Sequence, residues 1–445
     1  MKRILVLGAG LSASSLLRYL LALIDKNEWE LTIGNGEVDY LIDKYGNHPK
    51  VIIKRLNASE QEERFGLIRQ KDLVISMLPA SFHVAVAKDC ISLNIDLITP
   101  SYISKEMRDL DSLAKEVGVS IMNETGVDPG IDHMSAMKVI HEIRRSGGTL
   151  KSFKSFCGGL IAPESDDNEW HYKFTWNPRN VVLAGQGGVA AFRQNKELKY
   201  IPYTQLFKRT ERFEIDGFGA FDGYANRDSL KYLDVYGIHE VETIYRGTLR
   251  RPDFCQGWEV FISLGLTDDS YILENSHKLS PRQLLNAFLP YHPIDSVELK
   301  LKKFLREDRE HLFSLFEEIG FFDSNEALCT EDSSPAAMLQ ALLQKAWVLK
   351  ETDKDMLVMI HEFEFELKQR RFKTMASLVV IGEDRTYTAM SNTVGLPIAI
   401  IAKRMLDGYK APGVNLPIME DLYLPVLAEL EELGITFTET TIEIT

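Results

Sequence analysis

The sequence has few of the features that would place the protein in a membrane, outside the cell or around a metal ion. Its 445 residues include four cysteines, none in CxxC spacing, and ten histidines without an HExxH or HxH pairing. No apolar run approaches the ~20 residues that span a bilayer, and the chain does not open on a secretory leader pattern. We therefore expect reduced thiols, a cytoplasmic location, no membrane partner and no metal.

Basic residues are also in the minority. The chain has 51 Lys and Arg against 65 Asp and Glu, which gives a formal net charge of -14. Nucleic acids and anionic membrane surfaces attract basic proteins, so neither is an expected partner. A chain of 445 residues is also too long for one hydrophobic core, which predicts two or three domains.

The first positive signal is a glycine turn between a strand pattern and a helix pattern. An apolar run at residues 3–7 precedes the turn, and an amphipathic stretch begins at Ser14 after it. In such a turn the first glycine makes the bend, the second lets the backbone approach a pyrophosphate, and the helix N-terminus favours the anion. The pattern predicts a dinucleotide bound by the turn residues Gly8, Ala9, Gly10, Leu11 and Ser12.

The side chain that normally distinguishes NAD from NADP is missing. An acidic residue at the end of the second strand would bind the ribose of NAD, and a nearby Arg would bind the phosphate of NADP. Here the apolar run at residues 29–33 leads into Gly34, Asn35 and Gly36, so Asn35 is the polar side chain at the tip and can bind either ribose. Because no carboxylate stands there, we favour NADP over NAD, with positive charge supplied by Lys54 or Arg55.

Short apolar runs continue to alternate with helical patterns as far as residue 122. This alternation predicts an α/β fold, an N-terminal Rossmann domain with a doubly wound parallel sheet. Ligands of such sheets bind at the carboxyl ends of the strands, so the residues that follow each run are site candidates.

Residues 123–133 place two carboxylates in a turn. Pro129 fixes φ and Gly130 can take a positive φ, so we expect Asp128 to be presented on a sharp turn. We expect Asp132 to cap a helix that begins at His133. The alternative is an ordinary strand-to-helix loop, but the nucleotide-binding pattern upstream favours a functional Asp128.

The second half of the chain has a different texture. From residue 150 to about 266 it has the pattern of strands and loops, from 281 to 350 that of helices, and strand patterns return after 355. We predict a Rossmann domain at residues 1–128, on which C-terminal helices of about 390–445 pack. A second α+β domain with a mixed sheet would comprise residues 129–280 and 351–389, with a helical domain inserted at 281–350.

Four arginines are grouped at two places in this part of the chain despite the acidic composition. They lie in one turn and along one strand pattern, at Arg227, Arg246, Arg250 and Arg251. Since a guanidinium binds a carboxylate bidentately, a substrate with several carboxylates would explain them. The alternative is a set of surface ion pairs with the neighbouring carboxylates Asp228, Glu240 and Asp253. Nearby, Cys157 is either a catalytic thiol or a packed core residue.

Several motifs spread over most of the chain carry a family resemblance. Besides the glycine turn and residues 123–133, they are Ile75-Ser76-Met77-Leu78-Pro79 with Phe82-His83, Thr99-Pro100-Ser101-Tyr102, Cys157-Gly158-Gly159-Leu160, Asn226-Arg227-Asp228-Ser229, Arg246-Gly247-Thr248-Leu249-Arg250 and Thr393-Val394-Gly395-Leu396-Pro397. Together they resemble the saccharopine reductases, the glutamate-forming saccharopine dehydrogenases.

The resemblance implies a homodimeric NADP-dependent oxidoreductase of lysine metabolism that interconverts saccharopine with 2-aminoadipate 6-semialdehyde plus glutamate. It implies cofactor contacts at Leu78, Thr99 and Pro100 beside the glycine turn. It implies a substrate site lined by Ser101, Tyr102, Asp128, Arg227, Thr248 and Arg250. An Arg that the family usually carries near Asn35 and an acidic residue near Asn57 are both absent.

Hydride transfer requires orientation more than a strong acid. We expect Asp128 to stabilise an iminium or relay a proton, or else to act only as a counter-ion for the substrate amine, with Cys157 and Tyr102 as further polar partners. Two alternatives remain: a carboxynorspermidine-type or lysine-forming dehydrogenase, and a non-catalytic NAD(P)-binding regulator. The arginines favour a substrate with several carboxylates over a polyamine.

Overall fold

The structure is a computed structural model and describes residues 1–444. Its strands are β1 (Lys2–Leu7), β2 (Trp29–Asn35), β3 (Val51–Arg55), β4 (Leu73–Ser76), β5 (Asp96–Ile98), β6 (Ser120–Met122), β7 (Thr149–Ile161), β8 (Val189–Gln194), β9 (Glu197–Pro202), β10 (Thr210–Ile215), β11 (Gly219–Ala225), β12 (Thr243–Arg250), β13 (Asp355–Leu367), β14 (Arg370–Ile381), β15 (Gly413–Asn415) and β16 (Thr438–Ile444).

The α-helices alternate with these strands in the first third of the chain and form longer runs later. They are α1 (Ser14–Ile24), α2 (Asp39–Tyr45), α3 (Gln61–Ile68), α4 (His83–Ser92), α5 (Lys105–Arg108), α6 (Asp111–Glu116), α7 (Ile131–Arg145), α8 (Pro178–Val182), α9 (Tyr203–Leu206), α10 (Tyr232–Tyr236), α11 (Phe254–Leu264), α12 (Pro281–Phe288), α13 (Val297–Leu305), α14 (Phe313–Glu318), α15 (Pro335–Ala346), α16 (Ala389–Leu406) and α17 (Glu420–Glu432).

The first sheet has seven strands in the order β15-β6-β5-β4-β1-β2-β3, and all neighbours are parallel. This arrangement confirms the doubly wound sheet. The strand order changes direction at β1, which lies between β2 and β4. The glycine turn follows β1, so it lies at the point of such a sheet where ligands bind.

A C-terminal helix completes the core around the first sheet. Helix α16 packs on α1, where Ser15 Oγ donates a hydrogen bond to Asn392 Oδ1 at 2.6 Å. A Cβ atom at Gly395 would lie 2.7 Å from the backbone nitrogen of Leu16, so this close approach of two helices requires glycine.

The second sheet is mixed, as predicted. Its main path is β10-β11-β12-β7-β13-β14-β16, and β8 pairs with β12 and β9. Strand β12 runs antiparallel to β11 and parallel to β7. It therefore sits inside the sheet, where its side chains are held by neighbours on both edges.

Residues 1–444 fold as two compact units. Residues 1–149 and 378–438 form the first unit, and residues 150–377 and 439–444 belong to the second. Helices α12–α15 occupy the stretch predicted to be helical, and they belong to the same unit as the second sheet. The division into three domains stays a prediction.

Several elements differ from the sequence-based expectation, including the short helices α8, α9 and α10 in the stretch expected to form strands and loops. Helix α11 lies where strands and loops were expected; most of its residues are buried, and only Gln256 and Ser263 are exposed, on one side of the helix. Strands β15 and β16 were not predicted, since a short strand is specified by the sheet edge that it extends.

Features of other protein classes are missing from the part of the chain that the structure describes. In residues 1–444, no helix combines the length and the apolar character needed to cross a bilayer. No group of three or more His, Cys, Asp or Glu side chains in that range could hold a metal ion. None of the four cysteines, all of which lie in this range, forms a disulfide bond.

Candidate active site

The glycine turn after β1 has the geometry of a phosphate cradle. Gly8 has φ +88°, and a Cβ atom there would lie 2.9 Å from the carbonyl oxygen of Met77. Nothing lies within 4 Å of a Cβ built at Gly10. In the described chain, the helical turn Leu11–Ala13 has no side-chain cap, whereas the Ser15 N–H in the first turn of α1 donates to Ser391 Oγ at 2.9 Å. Open space beside uncapped N–H groups fits the pyrophosphate of a dinucleotide.

Asn35, at the end of β2, supports this turn. Its Oδ1 accepts a hydrogen bond from the Ala9 backbone N–H at 3.0 Å, and its Nδ2 donates to the Glu37 carbonyl at 2.6 Å. Tyr40 strengthens the arrangement, because its hydroxyl donates to the Ala9 carbonyl at 2.6 Å. Both polar ends of the Asn35 amide are therefore engaged with the protein.

The other predicted cofactor residues lie at the same edge of the first sheet. Leu78 follows β4. The residue between them, Met77, continues the pairing with β1, because its N–H donates a hydrogen bond to the Leu7 carbonyl at 2.7 Å. Thr99 and Pro100 follow β5, and the Thr99 carbonyl accepts a hydrogen bond from the Thr125 hydroxyl at 3.1 Å. The sheet thus gathers three strand ends beside the glycine turn.

His83 links two of these strand ends and was not singled out from the sequence. It is buried, with Nδ1 3.0 Å from Ser76 Oγ and Nε2 2.8 Å from Ser101 Oγ. Burial lowers the pKa of His83 to about 4. At neutral pH the ring is therefore uncharged, and it orients the Ser101 hydroxyl through one donating and one accepting nitrogen.

Asp128 and Tyr102 lie together, as the predicted substrate site requires. The Tyr102 hydroxyl donates a hydrogen bond to Asp128 Oδ1 at 3.1 Å, and both residues are half-buried. A carboxylate that shares a hydrogen bond with a phenol at a partly open position can bind an amine or exchange a proton.

A buried carboxylate supports the turn that carries Asp128. Glu124 Oε1 accepts a hydrogen bond from the Ile103 N–H at 3.0 Å, and its Oε2 lies 2.8 Å from His133 Nε2. Both Glu124 and His133 are almost fully buried. This pair connects the end of β5 to the start of α7, and sequence reasoning missed it because the partners are nine residues apart.

The start of α7 corrects the predicted cap. The helix begins at Ile131 rather than at His133, and its N-cap residue is Gly130. Asp132 therefore lies in the first turn, where its Oδ1 accepts a hydrogen bond from the Gly130 N–H at 2.6 Å. Gly130 has φ +148°, and a Cβ atom there would lie 2.0 Å from the Gly126 carbonyl oxygen, so the turn admits only glycine.

In the second unit, alternate residues of β12 share one face of the sheet. They are Arg246, Thr248 and Arg250. Arg250 is 4% exposed and its Nη1 donates to the Leu249 carbonyl at 2.8 Å. Among residues 1–444, its Nε has no hydrogen-bond partner and its guanidinium forms no ion pair. Its carbon Cζ lies 5.2 Å and 5.4 Å from the centroids of the Tyr172 and Phe254 rings.

An unpaired guanidinium in an aromatic environment carries a large desolvation cost that an added carboxylate would offset.

Thr248 of β12 and Cys157 of β7 are paired in the register of the sheet, and Cys157 is buried. Thr248 is two residues before Arg250 on β12, so its hydroxyl lies on the same face of the sheet as the Arg250 side chain. Cys157, which is paired with Thr248, supplies a thiol to that face.

Arg227 lies outside the sheet and is exposed. Its carbonyl accepts a hydrogen bond from the Ala191 N–H at 2.9 Å, and its side chain has no ion-pair partner within the described residues. Arg251 instead donates to the Phe218 carbonyl at 2.6 Å, and Asp228 accepts from the Leu230 N–H. Among residues 1–444, Arg227, Arg250 and Arg251 form no ion pair with Asp228 or Asp253.

A parallel sheet with a glycine turn at its switch point defines the class of Rossmann-type dinucleotide-binding proteins. Family models agree with this class and refine it. Residues 4–122 match the saccharopine dehydrogenase NADP binding domain, and residues 126–435 match the saccharopine dehydrogenase C-terminal domain. The chain belongs to the saccharopine dehydrogenase family.

Individual relatives support this membership. The chain is 34% identical to saccharopine dehydrogenase [NADP(+), L-glutamate-forming] of Saccharomyces cerevisiae, with 99% of each chain covered. It is 32% identical to the mitochondrial alpha-aminoadipic semialdehyde synthase of Bos taurus, of which it spans 47%. The fold matches the apo saccharopine dehydrogenase (L-Glu forming) of Saccharomyces cerevisiae with a TM-score of 0.89 at 31% identity over 99% of this chain and 100% of that one. The resemblance found in the sequence is confirmed.

Proposed function

We propose that this protein is an NADP-dependent saccharopine dehydrogenase of the glutamate-forming type, an enzyme of lysine metabolism. It interconverts saccharopine with 2-aminoadipate 6-semialdehyde and L-glutamate. The observation that carries the proposal is similarity over the whole length to the yeast enzyme of that name. The positions of the glycine turn, Asp128 and Arg250 in the fold support it.

The residues around the first sheet fit the cofactor. Gly8, Ala9, Gly10, Leu11 and Ser12 bind the pyrophosphate through the turn and the following N–H groups. Leu78, Thr99 and Pro100 line the strand ends beside it, and Asn35 contributes by holding Ala9 in place. The bound cofactor supplies the chemistry of hydride transfer.

The cationic residues of the second unit bind the carboxylates of the substrate. Saccharopine carries three carboxylates, and Arg250 is a buried guanidinium without an ion pair. A carboxylate bound there offsets the desolvation of Arg250 and gains charge-assisted hydrogen bonds. Arg227 supplies a second, exposed cation, and Thr248 supplies a neutral hydroxyl.

Asp128 stabilises the positive charge that develops on the substrate nitrogen. Oxidation of the secondary amine removes a hydride and leaves an iminium, to which water adds before glutamate is released. A carboxylate near the iminium stabilises it and can accept the proton of the attacking water. Tyr102 orients Asp128 through its hydrogen bond, Ser101 is oriented by neutral His83, and Cys157 is a further polar partner.

Three further features complete this proposal. The chain forms a homodimer and acts in the cytoplasm. It divides into a Rossmann domain, an α+β domain and an inserted helical domain with the boundaries expected from the sequence.

The decisive test is NADPH oxidation with either of two substrate pairs, 2-aminoadipate semialdehyde plus glutamate or 2-oxoglutarate plus lysine. Turnover with the glutamate pair alone supports the proposal. Turnover with the lysine pair alone identifies a lysine-forming enzyme, and the absence of turnover with either pair contradicts the proposed activity.

A substitution tests the carboxylate site in the reverse reaction, the oxidation of saccharopine by NADP. Arg227→Ala removes a charge-assisted contact worth roughly 1.5 to 3 kcal/mol, so KM for saccharopine should rise about tenfold or more while NADPH binding is retained. Arg209→Ala removes another exposed guanidinium of the same unit and is the control. An unchanged KM for the Arg227 variant would rule out its contact with the substrate.

A further inference from the structure

The end of β3 places one cation beside the glycine turn. Strand β3 is the edge strand next to β2, and its last residue, Arg55, is paired with Asn35. The pairing continues past the strands, since the Leu56 N–H donates to the Asn35 carbonyl at 3.0 Å. The position of Arg55 relative to the tip of β2 is therefore set by backbone hydrogen bonds.

The alternation of side chains along a strand determines the face of the sheet on which the Arg55 side chain lies. Paired residues on neighbouring strands point to the same face, and successive residues point to opposite faces. The side chain of Asn35 contacts Ala9 of the glycine turn, so the side chain of Arg55 leaves β3 on the face of that turn. Lys54 pairs with Gly34, where an added Cβ atom would meet Leu67 of α3, and so points to the other face.

The end of β2 offers no free group for a phosphate. Gly34 and Gly36 have no side chain, and both ends of the Asn35 amide bind the backbone of Ala9 and Glu37. The side chain of Glu37 is an exposed carboxylate, which would repel a phosphate. A dinucleotide phosphate at this corner consequently requires a cation from a neighbouring strand.

Arg55 meets this requirement. It is exposed, and its guanidinium has no partner within residues 1–444. A guanidinium fork matches two oxygens of a phosphate dianion. We propose that Arg55, at the end of β3, binds the 2′-phosphate of NADP in this protein and replaces the usual group at the end of β2. The inference rests on the proposed function only in taking NADP as the cofactor.

Binding titrations test this assignment without turnover. Dissociation constants for NADPH and NADH are measured by calorimetry for the unaltered protein, Arg55→Ala and Lys54→Ala, together with adenosine 2′,5′-bisphosphate and adenosine 5′-monophosphate. Loss of a charged hydrogen bond should weaken NADPH and the 2′,5′-bisphosphate at least about tenfold in Arg55→Ala. The affinities for NADH and the 5′-monophosphate should be unchanged, and Lys54→Ala should bind all four ligands normally.

Each other outcome has a definite meaning. Equal weakening of NADPH and NADH by Arg55→Ala, or a selective effect of Lys54→Ala, overturns the assignment and leaves NADP as the cofactor. Stronger binding of NADH than NADPH by the unaltered protein overturns both the assignment and the cofactor. Both residues are exposed on an edge strand, and a thermal melt of each variant confirms that it is folded.

Discussion

At the scale of single residues, the site depends on polar side chains whose partners come from distant parts of the chain. Asp128 binds Tyr102, and Ser101 binds His83. Each pair joins strand ends that the sheet brings together. Such pairs fix rotamers, so a substitution of one partner affects the other.

Asp128→Asn separates the two roles proposed for the carboxylate. If Asp128 stabilises the iminium or accepts a proton, kcat should fall by about 100-fold or more, while the dissociation constant of NADPH stays the same. The pH profile of kcat/KM should change as well. Tyr102→Phe, which keeps the carboxylate, is the control and should have the smaller effect. If only KM for saccharopine rises in Asp128→Asn, the counter-ion role is correct.

The buried ring of His83 predicts a loss of stability in mild acid. Burial lowers its pKa to about 4 in the folded protein, against a usual value near 6.5. Between these values the unfolded chain binds the proton and the folded chain does not, so the stabilisation present above about pH 6.5 is lost as the pH falls towards 4.

The expected loss at pH 5 is about 2 kcal/mol, from about 1.4 kcal/mol per pH unit. Thermal melts of the unaltered protein and of His83→Gln at pH 7 and pH 5 measure it. The variant lacks the titrating group, so its Tm should fall less over this interval. An equal fall in both proteins would mean that other groups control the acid response.

At the scale of elements, the turn between β6 and α7 is held by close backbone contacts and buried hydrogen bonds. It is closed by Gly130 and held from both sides by Glu124 and His133. The glycine and proline residues of this turn were recognisable in the sequence, but the buried Glu124–His133 hydrogen bond that supports it was not. Helix α11 shows the converse case, because its largely buried residues were not recognised as a helix although Gln256 and Ser263 mark an exposed side.

Gly130→Ala should destabilise the protein and lower kcat, since its Cβ atom would lie 2.0 Å from a backbone carbonyl oxygen. The matched control is Gly147→Ala, which also has a positive φ, +82°, but open space around the added atom. Strain alone should cost about 1 to 2 kcal/mol in the control, and Gly130→Ala should exceed it by several kcal/mol. Similar denaturation midpoints for the two variants would contradict a sterically closed turn.

At the scale of the whole molecule, a net charge of -14 opposes the binding of anions. The proposed cofactor is a polyanion, and the proposed substrate carries three carboxylates. Local cations and backbone N–H groups must therefore offset the overall charge, and the glycine turn, Arg55, Arg227 and Arg250 are the groups available for this.

Cofactor discrimination should be modest. The end of β2 has neither a guanidinium that binds the 2′-phosphate nor a carboxylate at Asn35 that excludes it, so discrimination depends on one exposed cation. The kcat/KM values for NADPH and NADH should differ by less than about a hundredfold, or ~3 kcal/mol of transition-state binding, with NADPH favoured. A larger ratio would mean that another residue contacts the ribose.

The sequence by itself determined the class of fold, the glycine turn, the Asp128 turn and the family. Each of these features depends on local properties, namely hydrophobic period, the φ freedom of glycine and the fixed φ of proline, or on short motifs repeated along the chain, and each motif spans about ten residues or fewer. Only the tertiary structure decided how the polar groups are paired. It assigned Asn35 to the glycine turn, separated Arg55 from Lys54 by the face of the sheet, and left Arg250 buried without an ion pair. The physical reason is that burial and hydrogen-bond partners depend on strands far apart in the chain, so no local pattern records them.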